Sequence, residues 1–434
     1  MPQVTDERRC PVASMNDVIN LEPASIRCPY PAYTEQRAAQ PVVYSDRVGA
    51  WLVTRFEDAI EILRDPARFS SRMASGPSSV SSLAQRVLDD DEMPERTRRA
   101  AKRRIELSKS RVLIYADPPL HKRQRALVSA GFTPKRVAEL DVVVEELTRR
   151  LVDDLPEGGR VDLVPAFSIP IPMTIIATLL GVPPQKMDTF REWSNAFTQG
   201  VGALDQDRNA IISMFDRVDA FYDYFTDELD KRREHNAQDL LSDLLAARMP
   251  GEQPLTEDEI LQMLVQFLVG GNETTTNLLT SSVWTLAKDL DLQDRLRTNP
   301  GDIPQFIEEM LRMEPPVQGV WRLATEDVLL GDTKIANGEL IFVVTGSANH
   351  DPSVFDDPDV FDMETERERN LVFGRGEHLC LGMNLAKLEA KVALGVLLEM
   401  VTDISLADST DGPAFHPSFM LHGITSLPIY FVKR

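Results

Sequence analysis

The chain of 434 residues is 43% hydrophobic and 26% charged, the proportions of an ordinary globular protein. Lys and Arg total 47 against 68 Asp and Glu, a formal charge of −21 at pH 7, which excludes a general binder of nucleic acid or anionic membranes. No apolar run reaches membrane-spanning length, and residues 1–9 lack the apolar stretch of a signal peptide, so a cytoplasmic protein with no membrane span is expected.

Residues 1–28 are expected to form a loosely ordered N-terminal segment. A short helical pattern follows Pro29 over residues 29–40. Residues 42–44 and 50–53 read as strands joined through Asp46-Arg47-Val48-Gly49, a β-hairpin. Phe56, Ala59, Ile60 and Leu63 then mark one face of a helix. The regular pattern breaks over residues 68–116, where a Ser/Gly-rich stretch precedes an acidic run (89–92) and a basic one (96–111). A segment that long inside a compact protein is expected to be a functional lid or mobile loop. From Pro118 to residue 300 the pattern is almost entirely helical, punctuated at Phe132-Thr133-Pro134, Gly158-Gly159, Pro183-Pro184 and Pro250-Gly251. Short strands and turns dominate residues 317–372. A last helix, 383–400, leads into strand-like segments that include 429–432. No internal repeat and no Pro/Gly linker divides these elements, so residues 1–434 read as a single mainly α domain with a smaller β part.

One helix in this run stands out. Thr256-x-x-Glu259 is a capping-box signature, and Ile260, Leu261, Leu264, Val265 and Leu268 follow at helical spacing. The pattern resumes through Leu278, Leu279, Val283 and Leu286, giving about thirty residues of helix, long for a globular protein. Its middle reads Gly270-Gly271-Asn272-Glu273-Thr274-Thr275. Two interior glycines cost roughly 1 kcal/mol each relative to Ala. They permit a kink and leave room for something flat or small to lie against the helix, with an acid and a hydroxyl beside it for handling protons.

Of three cysteines, Cys10 and Cys28 have no His or Cys at ligand spacing and read as structural or incidental, and three are too few for a disulfide framework. Cys380 is different. It ends the string Phe373-Gly374-Arg375-Gly376-Glu377-His378-Leu379-Cys380-Leu381-Gly382, just before a helix. The helix dipole and free N–H groups there are expected to favour a thiolate and lower its pKa. Gly374 and Gly376 allow positive φ or close approach to a flat group, and Phe373 can pack beside the sulfur. A dinucleotide fingerprint fails, because Leu379 takes the third glycine position.

The complete string Phe-Gly-x-Gly-x-His-x-Cys-x-Gly resembles the haem-binding loop of the cytochrome P-450 monooxygenases, bacterial members above all. The likeness runs in order from about residue 40 to the C-terminus. It implies a cytochrome P-450 fold, with haem b between the long central helix and the cysteine-bearing helix, and Cys380 as the iron ligand. Asp117-Pro118-Pro119-Leu120-His121-Lys122-Arg123-Gln124-Arg125 resembles the family segment in which His and Arg bind haem propionates; by the same likeness Arg322 and His378 complete that set. Gly270, Gly271, Phe373, Gly374 and Gly382 would adjoin the haem. Glu273 and Thr274 would be the catalytic proton relay. Glu309 and Arg312 resemble a structural Glu-x-x-Arg ion pair that holds the cysteine-bearing meander in place. Relatives usually carry an Arg eight residues before the Phe of the haem loop; this chain has Thr365, with Arg367 as the candidate substitute, and His350 stands where Arg is common.

The implied activity is insertion of one oxygen atom of O2 into a small organic substrate. By resemblance the pocket draws on Phe267, Val317, Val320, Trp321, Phe419 and Met420, whose apolar character favours a lipophilic molecule. No appended flavin or iron–sulfur domain is expected, so electrons from NAD(P)H would arrive through a reductase and a [2Fe-2S]-type or similar ferredoxin. Lys122, Arg123, Arg375 and Lys387 lie in segments expected to surround the docking face. Alternatives are a haem-thiolate peroxygenase or isomerase, and a non-catalytic haem sensor.

Overall fold

A computed structural model describes residues 14–74, 80–157, 159–199, 207–235, 237–365, 370–407 and 413–434. Its spine is the helix Glu257–Leu286, which starts with the capping box read from the sequence: the Glu259 N–H donates to the Thr256 hydroxyl at 3.2 Å, and the Thr256 N–H donates to Glu259 Oε2 at 2.9 Å. Helix runs without interruption through Gly270 and Gly271. The two halves of this helix serve different cores. Ile260, Leu261, Met263, Leu264, Phe267 and Leu268 pack with the helices Met187–Gln199 and Arg208–Glu234. Leu278, Leu279, Val283 and Leu286 pack instead with the helices Ile303–Met313 and Met383–Met400. The glycine pair and Glu273-Thr274 fall between the two cores.

The β part is small. The sequence-predicted hairpin pairs Val42–Ser45 with Ala50–Val53 in antiparallel register, Ser45 opposite Ala50. Ala50–Val53 then runs parallel to Leu340–Val343, which pairs antiparallel with Val320–Ala324, and Phe69–Ser70 closes this five-stranded sheet. A three-stranded sheet, Gly159–Asp162, Pro428–Lys433 and Val401–Leu406, packs at the other end. No helix among the described residues is long and apolar enough to cross a membrane.

Two stretches differ from the sequence reading. Within the segment expected to be loosely ordered, residues 14–28 form two short helices, Met15–Ile19 and Pro23–Arg27, with Met15, Val18, Ile19 and Ile26 buried. The first is fixed by a Ser14/Asp17 capping box, a device that works even in a helix too short for periodicity to reveal. Cys28 is disulfide-bonded, which a count of three cysteines does not lead one to expect. Within 68–116 the chain is largely helical, Val80–Asp89 and Glu95–Ser108, rather than irregular. Thr97, Ala100, Ala101, Arg104 and Leu107 supply the buried face of the second helix.

Glu389, on the helix after Cys380, is 2% exposed and its Oε2 has no hydrogen-bond partner. Burial pushes its carboxyl up to about 8 from an ordinary 4.5. A carboxyl whose folded pKa is raised contributes its full stability below pH 4.5 and loses it as pH rises through about 8. The cost of ionising it in place is a few kcal/mol, on the order of 5 at most. Thermal melts should therefore show Glu389→Gln stabilising the protein at pH 9 and leaving it nearly unchanged at pH 5. Equal effects at the two pH values would mean the carboxyl is not held neutral by burial.

Candidate active site

The loop before Cys380 is built from backbone bonds that its glycines make possible. Gly374 and Gly376 have φ of 71° and 70°, in the left-handed region. The Gly374 N–H donates to Leu371 O at 2.9 Å, and the Cys380 N–H returns to Phe373 O at 2.9 Å. A side chain at Gly376 would meet the Leu63 carbonyl at 2.7 Å, so the loop lies flat on the end of the helix Phe56–Arg64. The Asn349 side chain accepts from the Leu371 N–H at 2.7 Å and fixes the loop's start. Phe373 packs partly buried on the lower core, with the Lys387 ammonium 5.3 Å from its ring centre.

The Cys380 sulfur lies at the bottom of a pit, accessible from one side and crowded by protein on the others. Burial pushes the thiol above its ordinary value, outweighing the Gly382 N–H, the Arg125 charge and the Met383 N–H, all of which favour thiolate. The expectation of a lowered thiol pKa is thus reversed, because desolvation exceeds what two amides at a helix start supply. The sulfur becomes a stable thiolate when a cation binds it directly.

Four basic side chains converge beside that pit. His121 and His378 face each other with ring centroids 4.2 Å apart, His121 being 2% exposed and Arg322 6%. Burial, then Arg322, His121 and Arg125, hold His378 neutral, its pKa down at about 3. Burial brings Arg322 down to about 10 against the pull of Asp117 and Glu377. His121 is lowered by burial and by Arg125; Arg125 is lowered by burial and sustained by Cys380. Basic groups that depress one another in a buried place are suited to a ligand bringing negative charge. His121, Glu377 and His378 also stand close enough to share a metal ion, with ligand atoms within 4.8 Å, but the two arginines oppose a cation there. A thiol at the floor and a cationic rim together fit an iron porphyrin with two propionates.

On the central helix Gly270 is exposed between half-buried neighbours, and a side chain there would meet nothing within 4 Å. Gly271 is different, since its added carbon would touch Ile176 at 3.6 Å, an ordinary contact. Thr274 Oγ1 donates to the Gly270 carbonyl at 2.8 Å. Glu273 Oε1 meets His416 Nε2 at 3.2 Å, a partner hidden from sequence reading because it lies on the remote C-terminal hairpin. Arg312, fully buried, grips Glu309 through two bonds of 2.7 and 2.8 Å and donates to the carbonyls of Asn349, Pro358 and Val360. Glu309 Oε1 also accepts from the Asp362 N–H at 3.0 Å. At Thr365 no substitute arginine can be assigned, as Arg367 lies outside the described residues. His350 bonds Asp359 Oδ1 at 2.8 Å and stacks on Tyr30 at 4.3 Å.

The six pocket candidates divide. Phe267 is buried in the core shared with the helices Met187–Gln199 and Arg208–Glu234, and Val317, Val320, Phe419 and Met420 are partly exposed. Gln318 N–H donates to Met420 O at 2.8 Å, so the two lining segments run side by side. Trp321 is the buried neighbour of Phe419 and Met420. It is 1% exposed, its ring 4.7 Å from Phe342 and 6.4 Å from Phe419, with Nε1 donating to Met420 Sδ at 3.2 Å. Neighbours in a strand face opposite ways, so Trp321 turns into the N-terminal core while Arg322 turns to the pit.

Thiol, cationic rim and a helix face left open at Gly270 define a haem-thiolate protein. The family model for cytochrome P-450 matches residues 78–300 and 303–418. The chain is 36% identical over 383 residues to cytochrome P-450 107B1 of Saccharopolyspora erythraea, covering 88% of this chain and 89% of that protein. The solved structure of CYP109Q5 from Chondromyces apiculatus superimposes with a TM-score of 0.82 at 31% identity, covering 95% and 98% of the two chains. P-450BioI in complex with an acyl carrier protein ligated to hexadec-9Z-enoic acid gives 0.82 at 30% identity, over 94% and 99%. The chain belongs to the cytochrome P-450 family, and it is a haem-dependent monooxygenase.

Proposed function

We propose that the protein inserts one oxygen atom of O2 into a lipophilic organic substrate, using electrons from a separate ferredoxin and its NAD(P)H-dependent reductase. The observation that carries this reading is Cys380, set in its glycine turn beside the basic side chains of His121, Arg125, Arg322 and His378. The haem supplies the oxidising chemistry when bound; everything else falls to the protein. Cys380 would hold the iron, and His121, Arg125, Arg322 and His378 would neutralise the propionates. Phe267, Val317, Val320, Phe419 and Met420 would orient the substrate and exclude water. An acyl chain, such as the one carried by the acyl carrier protein bound to P-450BioI, is a sensible first substrate to screen.

Forming water from the second oxygen atom requires protons in an apolar cleft. Thr274 would position them through its hydroxyl, already held by the Gly270 carbonyl, and Glu273 would deliver them as a general acid. Two cations of the suggested docking face are otherwise engaged: Arg123 pairs with Glu259 and Lys387 with Glu308. Lys122 is exposed and remains the better candidate for an acidic partner.

Steady-state turnover with a surrogate ferredoxin and reductase tests the reading. Thr274→Ala should bind haem and substrate normally, keep consuming reduced cofactor, and release most of the oxygen as hydrogen peroxide. Glu273→Gln should slow product formation about 10²-fold, within the range of lost general acid catalysis. Full product yield per reduced cofactor in both variants would remove the relay. Full activity with peroxide alone, indifferent to both changes, would favour a peroxygenase.

A further inference from the structure

His416 is placed against Glu273 by a rigid seat. It follows the strand Ala414–Phe415, which pairs with Ile424–Ser426, and its N–H donates to the Gly423 carbonyl at 2.9 Å. Gly423 lies so close to the central helix that any side chain there would collide with the Asn277 carboxamide. Asn277 is one turn beyond Glu273 on the same face. Phe415 packs edge-on against Trp284, about three turns beyond Glu273, with ring centroids 5.8 Å apart. The hairpin is thereby locked along the helix face that carries the acid. The carboxylate meets His416 Nε2 at 3.2 Å; the acid's side chain is 18% exposed and the imidazole 42%. Among the described residues, Glu273 has no other ion-pair partner and Nδ1 of His416 has no hydrogen bond.

We propose that His416 is the group through which protons from solvent reach Glu273, a positioning and supplying residue for the relay. This rests on Glu273 being the relay acid, as proposed above. As imidazolium, His416 gives its Nε2 proton to the Glu273 carboxylate; a neutral imidazole and a neutral acid result. The ring, open to water on its other side, then recovers a proton from buffer. Imidazole fits this duty because it changes charge near neutral pH, whereas a Lys or Arg in the same place would hold the carboxylate ionised and give up its proton poorly. The competing view is a surface ion pair that merely ties the hairpin down.

The test compares His416→Gln, His416→Ala and Glu273→Gln in the haem-loaded protein. His416→Gln preserves a hydrogen-bond donor toward Glu273 but carries no exchangeable charge. It should lower product formation several-fold with unchanged substrate KM and a larger solvent deuterium isotope effect. Free imidazole in the buffer should restore much of the loss in His416→Ala and none in Glu273→Gln. A tie to the hairpin alone would give no imidazole rescue and no change in isotope effect, and either result overturns the proposal. Independently of turnover, the ring nitrogen resonances of His416, read by NMR in the diamagnetic carbon monoxide form, should move in Glu273→Gln; unmoved resonances would show that the pair does not form in solution. If Glu273→Gln is impaired while His416→Gln is normal, the relay stands and only the supply route falls. If Glu273→Gln is itself normal, the relay reading fails first.

Discussion

Cys380→Ser should abolish the red-shifted Soret band that the reduced carbon monoxide complex of a haem-thiolate protein shows, and with it all product formation. The sulfur is the iron ligand in this reading, and its thiolate donates electron density that a serine hydroxyl cannot match at neutral pH. Replacing sulfur by oxygen removes little volume, and the loop is held by bonds that do not involve the side chain: Cys380 N–H to Phe373 O, Gly374 N–H to Leu371 O, and Gly376 against Leu63. The variant should therefore remain folded, within about 1 kcal/mol of the parent. It should also keep a weakened affinity for haem, because His121, Arg125, Arg322 and His378 are untouched. The decisive measurement is the reduced carbon monoxide difference spectrum alongside a denaturant midpoint. A red-shifted band in a well-folded Cys380→Ser protein would remove the ligand assignment. Neither Cys28, which is disulfide-bonded, nor any other described thiol is available to replace it.

The cysteine loop is legible in the sequence because its requirements are local. Positive φ at Gly374 and Gly376 can be met by few residues, and a cysteine before a helix start is a short-range pattern. The capping box at Thr256 and Glu259 is equally local, and so is the hairpin from Val42 to Val53. What sequence reading gets wrong depends on tertiary surroundings. The direction of the Cys380 thiol follows from burial, which no neighbour in sequence announces. The helix Glu95–Ser108 escapes a hydrophobic pattern because its buried face is built of Thr97, Ala100, Ala101, Arg104 and Leu107, residues that hardly register as apolar. Likeness puts Trp321 in the pocket and Arg322 at the haem; along the strand the two face opposite ways, Trp321 toward Phe342, Phe419 and Met420. That alternation is detectable from the sequence alone. The role of His416 is not, since only the seating of Gly423 on Asn277 brings the C-terminal hairpin to Glu273.

Arg312→Leu should be the most damaging change outside the haem pit. Its guanidinium is fully buried, and so is its partner Glu309 at 3% exposure. Removing the cation takes the forked partner away from a buried carboxylate, which still accepts from the Asp362 N–H, and strips donors from the carbonyls of Asn349, Pro358 and Val360. Breaking a buried pair by removing one member typically costs about 3–5 kcal/mol, since the remaining charge is uncompensated. A protein of ordinary stability holds roughly 5–15 kcal/mol in total, so the variant should be expressed poorly or melt far below the parent. The damage should also reach the haem. Asn349 accepts from Leu371 N–H just ahead of the cysteine loop, so loosening its carbonyl anchor loosens the loop that carries Cys380. Haem content per folded chain should then fall along with the denaturant midpoint. Arg312→Lys keeps the charge but loses the forked grip and three carbonyl contacts, and should be intermediate. The double variant Glu309→Leu/Arg312→Leu separates charge from architecture. Removing both charges eliminates the buried carboxylate that has lost its arginine, so its loss should be well below the sum of the single losses. Additive losses, or an Arg312→Leu protein within about 1 kcal/mol of the parent with full haem content, would show that the pair does not brace the cysteine-bearing meander.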